Sequence, residues 1–235
     1  MQAYVLDAEQ VQENAINYHA ASLGFYRIGY FVDRFKLPQL PELQASEDTP
    51  VFGGTAVIKH FFPDYISIPH YPPSLQDFLH RKIEVRPSGE ICDGEFFKPL
   101  EADHKLFTPM IKSDSVASVL ALQAVPRDRP VYVAQPLKIL AEYRCYVLRN
   151  EILALNFYKG DWSVFPDPAV VRAMVEQFEG CPVAYGIDVG VLDDGKTILI
   201  EVNDFCCLGN YGIRPTPYAA AIAARWEQLW KSFRG

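Results

Sequence analysis

Hydrophobic and polar residues alternate most regularly over residues 185–203, a segment with the sequence YGIDVGVLDDGKTILIEVN. An alternation with a period of two is typical of a β-strand that buries one face. Asp194-Gly195 interrupts the alternation near its centre, and this dipeptide is a strong signal for a two-residue hairpin loop. With these two residues as the loop, the pairing register places Asp188 directly opposite Glu201.

The predicted hairpin has one apolar face and one face whose polar groups cluster at the end away from the turn. Because successive side chains of a strand point to opposite faces, the apolar face should carry Ile187, Val189, Val191, Ile198, Ile200 and Val202. The other face should carry Asp188, Gly190, Leu192, Thr197, Leu199, Glu201 and Asn203. Gly186, opposite Asn203, leaves room for a ligand beside the polar end.

The polar end of this hairpin has the composition of a metal site. Directly opposed residues have Cβ atoms about 5 Å apart, and two bare carboxylates at that separation repel each other. Magnesium prefers hard oxygen ligands and completes its shell with water and phosphate oxygens, so Asp188, Glu201 and Asn203 suit it. A solvated polar face of an amphipathic hairpin is the alternative interpretation, and the pattern alone does not decide between the two.

The other patterns after residue 85 predict short strands and three helices. The strands are predicted at residues 95–99, 131–135, 137–148 and 152–157, with a turn at Arg149-Asn150. The helices are predicted from Ser113 or Asp114 to Ala124, from Asp167 to Glu179, and from Pro217 to Phe233. Since most strands are joined by hairpins, the arrangement favours an α+β fold over a doubly wound sheet.

The first 84 residues differ from the rest of the chain in the elements that their sequence predicts. A helix is predicted over Ala8–Leu23 and a strand over Phe25–Val32, after which prolines interrupt any long element. Gly53-Gly54 is a weak signal for a phosphate loop, because no GxxxxGK[ST] pattern follows. We predict a small N-terminal α/β lobe over residues 1–84 and a larger domain over residues 85–235.

Composition and charge argue against several classes of protein. The chain has 235 residues, of which 49% are hydrophobic, so it can bury a substantial core. Its net charge of −7 and the absence of a basic stripe argue against a dedicated nucleic-acid binder. The N-terminus lacks the pattern of a signal peptide, and no apolar run approaches the roughly 18 residues of a membrane span. We therefore expect a cytoplasmic protein without nucleic-acid or membrane partners.

The five cysteines predict neither a disulfide framework nor a zinc site. Their number is odd, no CxxC spacing occurs, and Cys206 and Cys207 are adjacent. We expect all five to be reduced. The five histidines show no ligand spacing and are assigned no role.

Several segments match one family in order and spacing. They are Phe96–Pro99, Val131–Gln135, Glu142–Val147, Asn156–Asp161, Asp188 with Glu201-Val202-Asn203, and Leu208–Gly212. Together they resemble the ATP-grasp superfamily, and in particular a small clade of bacteria and phages noted for one arginine and two lysines. The resemblance spans residues 85 to 230.

The resemblance implies a fold, a reaction and a set of roles. It implies a nucleotide clamped between two α+β lobes, about residues 85–132 and 133–235, with the N-terminal lobe as a pre-ATP-grasp domain. ATP-grasp enzymes typically activate a carboxylate as an acyl phosphate for attack by an amine or a thiol, with ATP and one or two Mg²⁺ ions, which Mn²⁺ can replace. The implied nucleotide contacts are Lys98, Lys105, Lys138, and the hinge residues Val133 and Gln135. The implied catalytic residues are Arg144 and Lys159, and the implied metal ligands are Asp188, Glu201 and Asn203.

Alternatives to these roles stay open at this point. Lys98 and Lys105 could instead be ordinary surface lysines, and Lys159 could belong to a solvated turn. Arg144 could instead pair structurally with Glu142 or with a neighbouring strand. The segment from Glu101 to Asp114 contains no glycine, unlike the glycine-rich loop that covers the phosphates in many ATP-grasp proteins, so its action as a lid is in doubt.

The reaction also has alternatives. An ATP-grasp-fold kinase acting on a hydroxyl, or a non-catalytic nucleotide-binding protein, would use the same residues. The substrate is expected to be a small molecule or a peptide, and the chain to be a monomer or a homodimer.

Overall fold

The computed structural model describes residues 1–7, 15–100 and 106–235. In this part of the chain the strands are β1 Gln2–Leu6, β2 Phe31–Phe35, β3 Val51–Phe52, β4 Ile83–Pro87, β5 Phe96–Pro99, β6 Met110–Ile111, β7 Pro130–Ala134, β8 Ile139–Leu148, β9 Glu151–Gly160, β10 Ala184–Leu192 and β11 Thr197–Asp204. The helices are α1 Ala15–Arg27, α2 Thr55–Phe61, α3 Val116–Gln123, α4 Pro168–Gln177 and α5 Pro215–Phe233. The strands form three sheets, so the predicted α+β class is confirmed.

The first sheet is parallel, with strand order β2-β1-β3, and α1 crosses between β1 and β2. Helix α1 packs closely on α5, since a Cβ atom on Gly24 would lie 2.0 Å from the carbonyl oxygen of Pro215. The strand predicted over Phe25–Val32 is wrong at its start. Phe25 is fully buried inside α1, and the helix ends before Gly29, whose positive φ of 92° favours glycine.

The second sheet is antiparallel, with strand order β4-β7-β5-β6. Its own small apolar core consists of Ile91, Phe97, Phe107, Ala121, Val125, Val131 and Val133. Helix α3 belongs to this core, and its N-cap lies one or two residues later than predicted. Its N-cap is Ser115, whose hydroxyl accepts a hydrogen bond from the backbone N–H of Ser118, so the predicted caps Ser113 and Asp114 are wrong.

The third sheet is antiparallel, with strand order β11-β10-β8-β9. The predicted turn between β8 and β9 is confirmed, since Arg149 and Asn150 both have positive φ, at 51° and 63°. The predicted start of α4 is also confirmed, because the Asp167 carboxylate accepts the backbone N–H of Ala169 at 2.8 Å.

The two faces of the third sheet have different neighbours. One face packs under α4 and the 3-10 helix Pro73–Phe78, around Tyr143, Ile187 and Val189. At one end of the opposite face, Tyr146 and Ala184 join a core that includes α5 and the first sheet. The remainder of that face borders a cleft towards the second sheet.

The division at residues 84 and 85 stays a prediction; β4, the first strand of the second sheet, begins at Ile83. Within the described ranges no helix is both long and apolar enough to cross a lipid bilayer.

Candidate functional site

A row of polar side chains crosses the third sheet on the face that borders the cleft. In the pairing register Glu201 of β11 lies opposite Asp188 of β10, Asp188 opposite Arg144 of β8, and Arg144 opposite Asn156 of β9. The row contains two acids, one base and one amide on four neighbouring strands. The predicted opposition of Asp188 and Glu201 is therefore confirmed.

The predicted two-residue loop, which was expected to set this register, is wrong. Leu192 donates its backbone N–H to the carbonyl oxygen of Lys196 at 2.9 Å, so the loop has three residues, 193–195, rather than two. Gly195 takes the positive φ of 84° that such a loop needs at its last position. This loop shifts the register by one residue, and a β-bulge at Ile200 shifts it back before Glu201.

The bulge also changes which side chains share a face. Leu199 pairs with Val189 and packs in the core under α4, whereas it was predicted on the polar face. Thr197 is likewise on the α4 side, where its hydroxyl accepts the backbone N–H of Asp167 at 2.7 Å. Ile200, predicted on the core face, instead lines the cleft.

A second bulge lies on the other side of the row. Glu142 pairs with Lys159 and Tyr143 with Phe157, so Tyr158 is the extra residue of β9. Bulges often re-aim side chains beside active sites, and both bulged residues, Tyr158 and Ile200, line the cleft.

Arg144 and Asp188 form a bidentate ion pair at the centre of the row. Arg144 Nε and Nη2 donate to the two carboxylate oxygens at 2.7 and 2.6 Å, and the two side chains are only 9% and 4% exposed. Burial raises the pKa of Asp188, and Arg144 opposes that shift. Burial would lower the pKa of Arg144, but the Asp188 carboxylate raises it above its usual value. The geometry is that of a guanidinium fork on an ionised carboxylate.

Lys98 reaches across the cleft from the second sheet to Glu201. Its ammonium group is almost fully buried and donates to the Glu201 carboxylate. The rings of Tyr71 and Tyr132 flank it, with centroids 5.3 and 6.0 Å from Nζ. Burial opposes the ionisation of Glu201, but Lys98 and further partners lower its pKa to about 2.

Asn203 completes the proposed metal ligands. Its amide nitrogen donates to Asp188 at 3.2 Å and to Glu201 at 3.1 Å, so the three polar groups converge on one point. A half-turn of the amide would present its oxygen to the same point. Among the described residues no group of three or more His, Cys, Asp or Glu side chains converges. Two carboxylates and an amide oxygen fit Mg²⁺, which takes its remaining oxygens from water and phosphate.

Beyond Arg144 the loop after β11 forms an aromatic wall. The Tyr211 ring lies 4.5 Å from the Arg144 guanidinium and stacks on Tyr158 at 4.7 Å between centroids. The carbonyl of Gly209 accepts the Tyr146 hydroxyl at 2.9 Å and faces Arg144 Nη1 at 3.5 Å. The wall is thus tied to the same guanidinium that holds Asp188.

The cleft between the second and third sheets encloses about 380 Å³. Lys159 lies at its edge, where its largely exposed ammonium donates to Glu142 at 2.6 Å. Lys98, Lys159, Asp188 and Glu201 therefore line one cavity. Arg144 and Asn203 do not line it but hydrogen-bond the carboxylates that do, Arg144 that of Asp188 and Asn203 those of Asp188 and Glu201.

The side chains of Lys138, Val133 and Gln135 do not line the cavity, and the nucleotide contact implied for the hinge residues, which is through the backbone, stays a prediction. Lys138 is exposed and pairs with Asp193 at the turn of the hairpin, 3.2 Å away, and it does not line the cavity. The Val133 side chain is buried in the core of the second sheet. Gln135 is exposed just after β7, where Pro136 and not Gln135 borders the cavity. Lys105 lies outside the described residues.

Arg81 is a cavity residue that sequence reasoning missed. It lies 5.0 Å above the Phe96 ring and hydrogen-bonds Tyr71, and its buried Nε makes no hydrogen bond within the described residues. Burial lowers its pKa, while the nearby Glu201 raises it. Arg81 belongs to no recognised motif; the only signal that the sequence offers is a cation two residues before the start of a strand.

Charges around the cavity favour an anion. Within the described residues, three carboxylates there are each paired with a cation; the pairs are Glu142–Lys159, Asp188–Arg144 and Glu201–Lys98. Arg81 adds a fourth cation with no carboxylate of those ranges within ion-pair distance.

Comparison with solved structures identifies similar folds. D-Alanine–D-alanine ligase from Bacillus anthracis complexed with ATP has a TM-score of 0.53 and 15% identity, over 99% of this chain and 98% of that one. N5-carboxyaminoimidazole synthetase from Staphylococcus aureus complexed with ADP has a TM-score of 0.59 and 9% identity, over 96% and 77%. The ATP-grasp ligase PsnB, complexed with a phosphomimetic variant of its minimal precursor, Mg and ADP, has a TM-score of 0.51 and 12% identity, over 95% and 97%.

No curated protein sequence matches the chain. A family model for an ATP-grasp domain does, over residues 78–221, which is more than half of the chain and includes the whole polar row and the Lys98 strand. The predicted ATP-grasp fold is thus confirmed, and the chain belongs to family 2 of the ATP-grasp clade named for one arginine and two lysines.

Proposed function

We propose that the protein is an ATP- and magnesium-dependent ligase, which activates a carboxylate as an acyl phosphate for attack by an amine or a thiol. The observation that carries the proposal is the row Glu201–Asp188–Arg144, which faces Lys98 across a cleft of about 380 Å³. Phosphoryl transfer depends mainly on positioning and on neutralising charge, and this row supplies both.

Each residue has a proposed role. Asp188, Glu201 and Asn203 would hold Mg²⁺, which supplies charge neutralisation at the phosphates. Lys98 and Arg81 lie on the opposite wall and would bind phosphate oxygens. Arg144, which holds Asp188 through its Nε and Nη2, would orient the transferred phosphoryl group. Lys159 lies at the edge and would contact the acceptor side.

The substrate is proposed to be a small carboxylate or a peptide. The peptide alternative is favoured by the fold similarity to PsnB, whose structure contains its precursor. An ATP-grasp-fold kinase acting on a hydroxyl and a non-catalytic nucleotide-binding protein are the competing functions. We propose no nucleic-acid partner, in keeping with the net charge of −7, and a cytoplasmic monomer or homodimer.

Ligand-dependent stabilisation tests the site. A ligand at 100 times its Kd stabilises the folded state by about 2.7 kcal/mol, which in a chain of this size raises Tm by roughly 5–10 °C. We expect this shift with ATP and Mg²⁺ but not with ATP and EDTA, and we expect Asp188→Asn to abolish it. Asp193→Asn, on the exposed turn of the same hairpin, is the matched control and should keep the shift. A full shift in Asp188→Asn would refute the metal assignment.

Product analysis separates the functions. The protein is incubated with ATP, Mg²⁺ and a library of amino acids, small carboxylates and peptides. ADP and phosphate released together with an amide or thioester product support the ligase. A phosphorylated hydroxyl would instead establish a kinase, and nucleotide binding without any ADP across the library would favour the non-catalytic protein.

A further inference from the structure

Two adjacent thiols lie between the proposed metal strand and the aromatic wall. Cys206 and Cys207 end the short 3-10 helix Phe205–Cys207, directly after β11. The Cys206 thiol donates to the Cys207 sulfur, with the two Sγ atoms 3.8 Å apart. Cys207 is exposed and Cys206 partly exposed, so small reagents can reach the pair.

We propose that Cys206 and Cys207 form a redox-active vicinal dithiol, a modification site for low-molecular-weight disulfides such as glutathione disulfide. The Cys207 thiolate attacks the glutathione disulfide, which forms a mixed disulfide and releases one glutathione. The Cys206 sulfur then attacks the Cys207 sulfur, its proton passing to the second departing glutathione. The dithiol is oxidised by two electrons and one glutathione disulfide is reduced to two glutathiones.

The order of attack follows from the surroundings of each thiol. The hydrogen bond to Cys207, together with burial, raises the pKa of Cys206 well above the usual cysteine value. The thiolate is the nucleophile in disulfide exchange. The more exposed Cys207 is therefore the attacking residue and Cys206 the one that closes the ring.

The resulting disulfide is readily reduced. Consecutive Cα atoms are about 3.8 Å apart across a trans peptide, whereas most disulfides join Cα atoms about 4.4–6.8 Å apart. Ring closure between neighbours is thus strained, and strained, exposed disulfides are the labile and regulatory ones. The bond would respond to the redox state of its surroundings rather than act as a permanent crosslink.

Oxidation of the dithiol should disturb the proposed ATP site, a consequence that rests on the proposed function. Upstream of the pair, Asp204 is fixed because Arg225 donates to both of its carboxylate oxygens at 2.9 and 2.7 Å. Downstream, the buried Leu208 is held by the Tyr218 hydroxyl, which donates to its carbonyl at 2.5 Å, so the strain of ring closure falls on this contact and on the loop that carries Gly209. The Gly209 carbonyl faces Arg144, so its displacement disturbs the guanidinium that we assign to phosphate.

The modification is tested by equilibrating the whole protein in glutathione redox buffers, quenching with acid and digesting with trypsin. Because trypsin does not cleave the Arg214–Pro215 bond, the fragment of residues 197–225 contains both thiols and no other cysteine. We expect this fragment to lose two hydrogen atoms as oxidised glutathione increases. Cys206→Ser should instead carry a single glutathione on Cys207, while Cys92→Ser should behave as the wild type. A wild-type fragment that carries only glutathione adducts, or stays reduced in every buffer, would overturn the proposal.

The coupling is tested in two steps. Calorimetry first measures the binding of ATP and Mg²⁺ to the reduced protein, and the redox titration is then repeated with both at saturating concentration. Coupling between two sites is reciprocal and typically changes affinities about 5-fold or more. We therefore expect ATP and Mg²⁺ to stabilise the dithiol, so that half-oxidation requires an oxidising power of the glutathione buffer about 5-fold or more higher. An unchanged midpoint would overturn the coupling. Failure of the reduced protein to bind ATP would refute the proposed function and the coupling, whereas the dithiol itself is judged by the fragment mass alone.

Discussion

Replacing Glu201 by glutamine tests the electrostatics on which the site depends. The pKa of Glu201 is lowered from 4.5 to about 2, chiefly by Lys98 acting against burial. At about 1.4 kcal/mol per pKa unit, this shift stabilises the folded protein by roughly 3 kcal/mol at neutral pH. Glutamine keeps the size of the side chain but leaves Lys98 buried beside a neutral partner.

The sign of the pH dependence follows from the lowered pKa. The native state binds fewer protons at Glu201 than the unfolded chain does, so the stabilisation is complete above about pH 4.5 and is lost as the pH falls towards 2. The free energy of unfolding, measured by urea titration between pH 7 and pH 3, should be about 3 kcal/mol lower in Glu201→Gln at pH 7. The two curves should converge on acidification.

The matched control is Glu84→Gln. Glu84 pairs with Lys82 at 2.5 Å, but the two side chains are 39% and 82% exposed, so little change is expected at any pH. Parallel curves for wild type and Glu201→Gln down to pH 3 would refute the buried ion pair with Lys98.

Three further predictions concern the same scaffold. Arg144→Met and Asp188→Asn should each lower the free energy of unfolding by about 3–5 kcal/mol, because each leaves a buried charged or polar partner without its ion pair. The double variant should lose less than the sum of the two. Additive losses in urea titrations would contradict the ion pair. Gly24→Ala should cost about 3 kcal/mol through the clash with the Pro215 carbonyl, and an unchanged Tm would show that α1 and α5 are not in close contact. Asn150→Val should cost about 1–2 kcal/mol because a β-branched residue resists its positive φ, and chemical denaturation equal to wild type would argue against this turn.

The hairpin shows how far local patterns carry a prediction. The alternation identified two strands and opposed Asp188 to Glu201 correctly, although the loop was taken to be one residue too short. The three-residue loop and the bulge at Ile200 shift the register in opposite senses. A bulge depends on packing against neighbouring strands, so the sequence of the hairpin alone could not reveal it, nor that Ile200 faces the cleft.

The partners of the acidic residues depend on contacts between distant segments. Lys98 and Glu201 are 103 residues apart and come from different sheets. Family resemblance suggested that both belong to the site, but not that they pair directly. Arg81 was missed for the same reason, since only the packing of the second sheet on the third brings it to the cavity. Phe25 was misassigned because its apolar neighbourhood suits a strand as well as a buried helix.

The chain enters the second sheet at Ile83 and leaves it at Ala134, and these two residues are direct neighbours in the ladder between β4 and β7. All strands of the second sheet therefore lie in one continuous chain segment, residues 83–134, whose two ends are adjacent. A short turn could bridge those ends and bypass the segment, leaving the other two sheets with their own cores. The wall that carries Lys98 is thus one continuous segment of the chain, whereas Asp188 and Glu201 on the opposite wall come from strands that follow it.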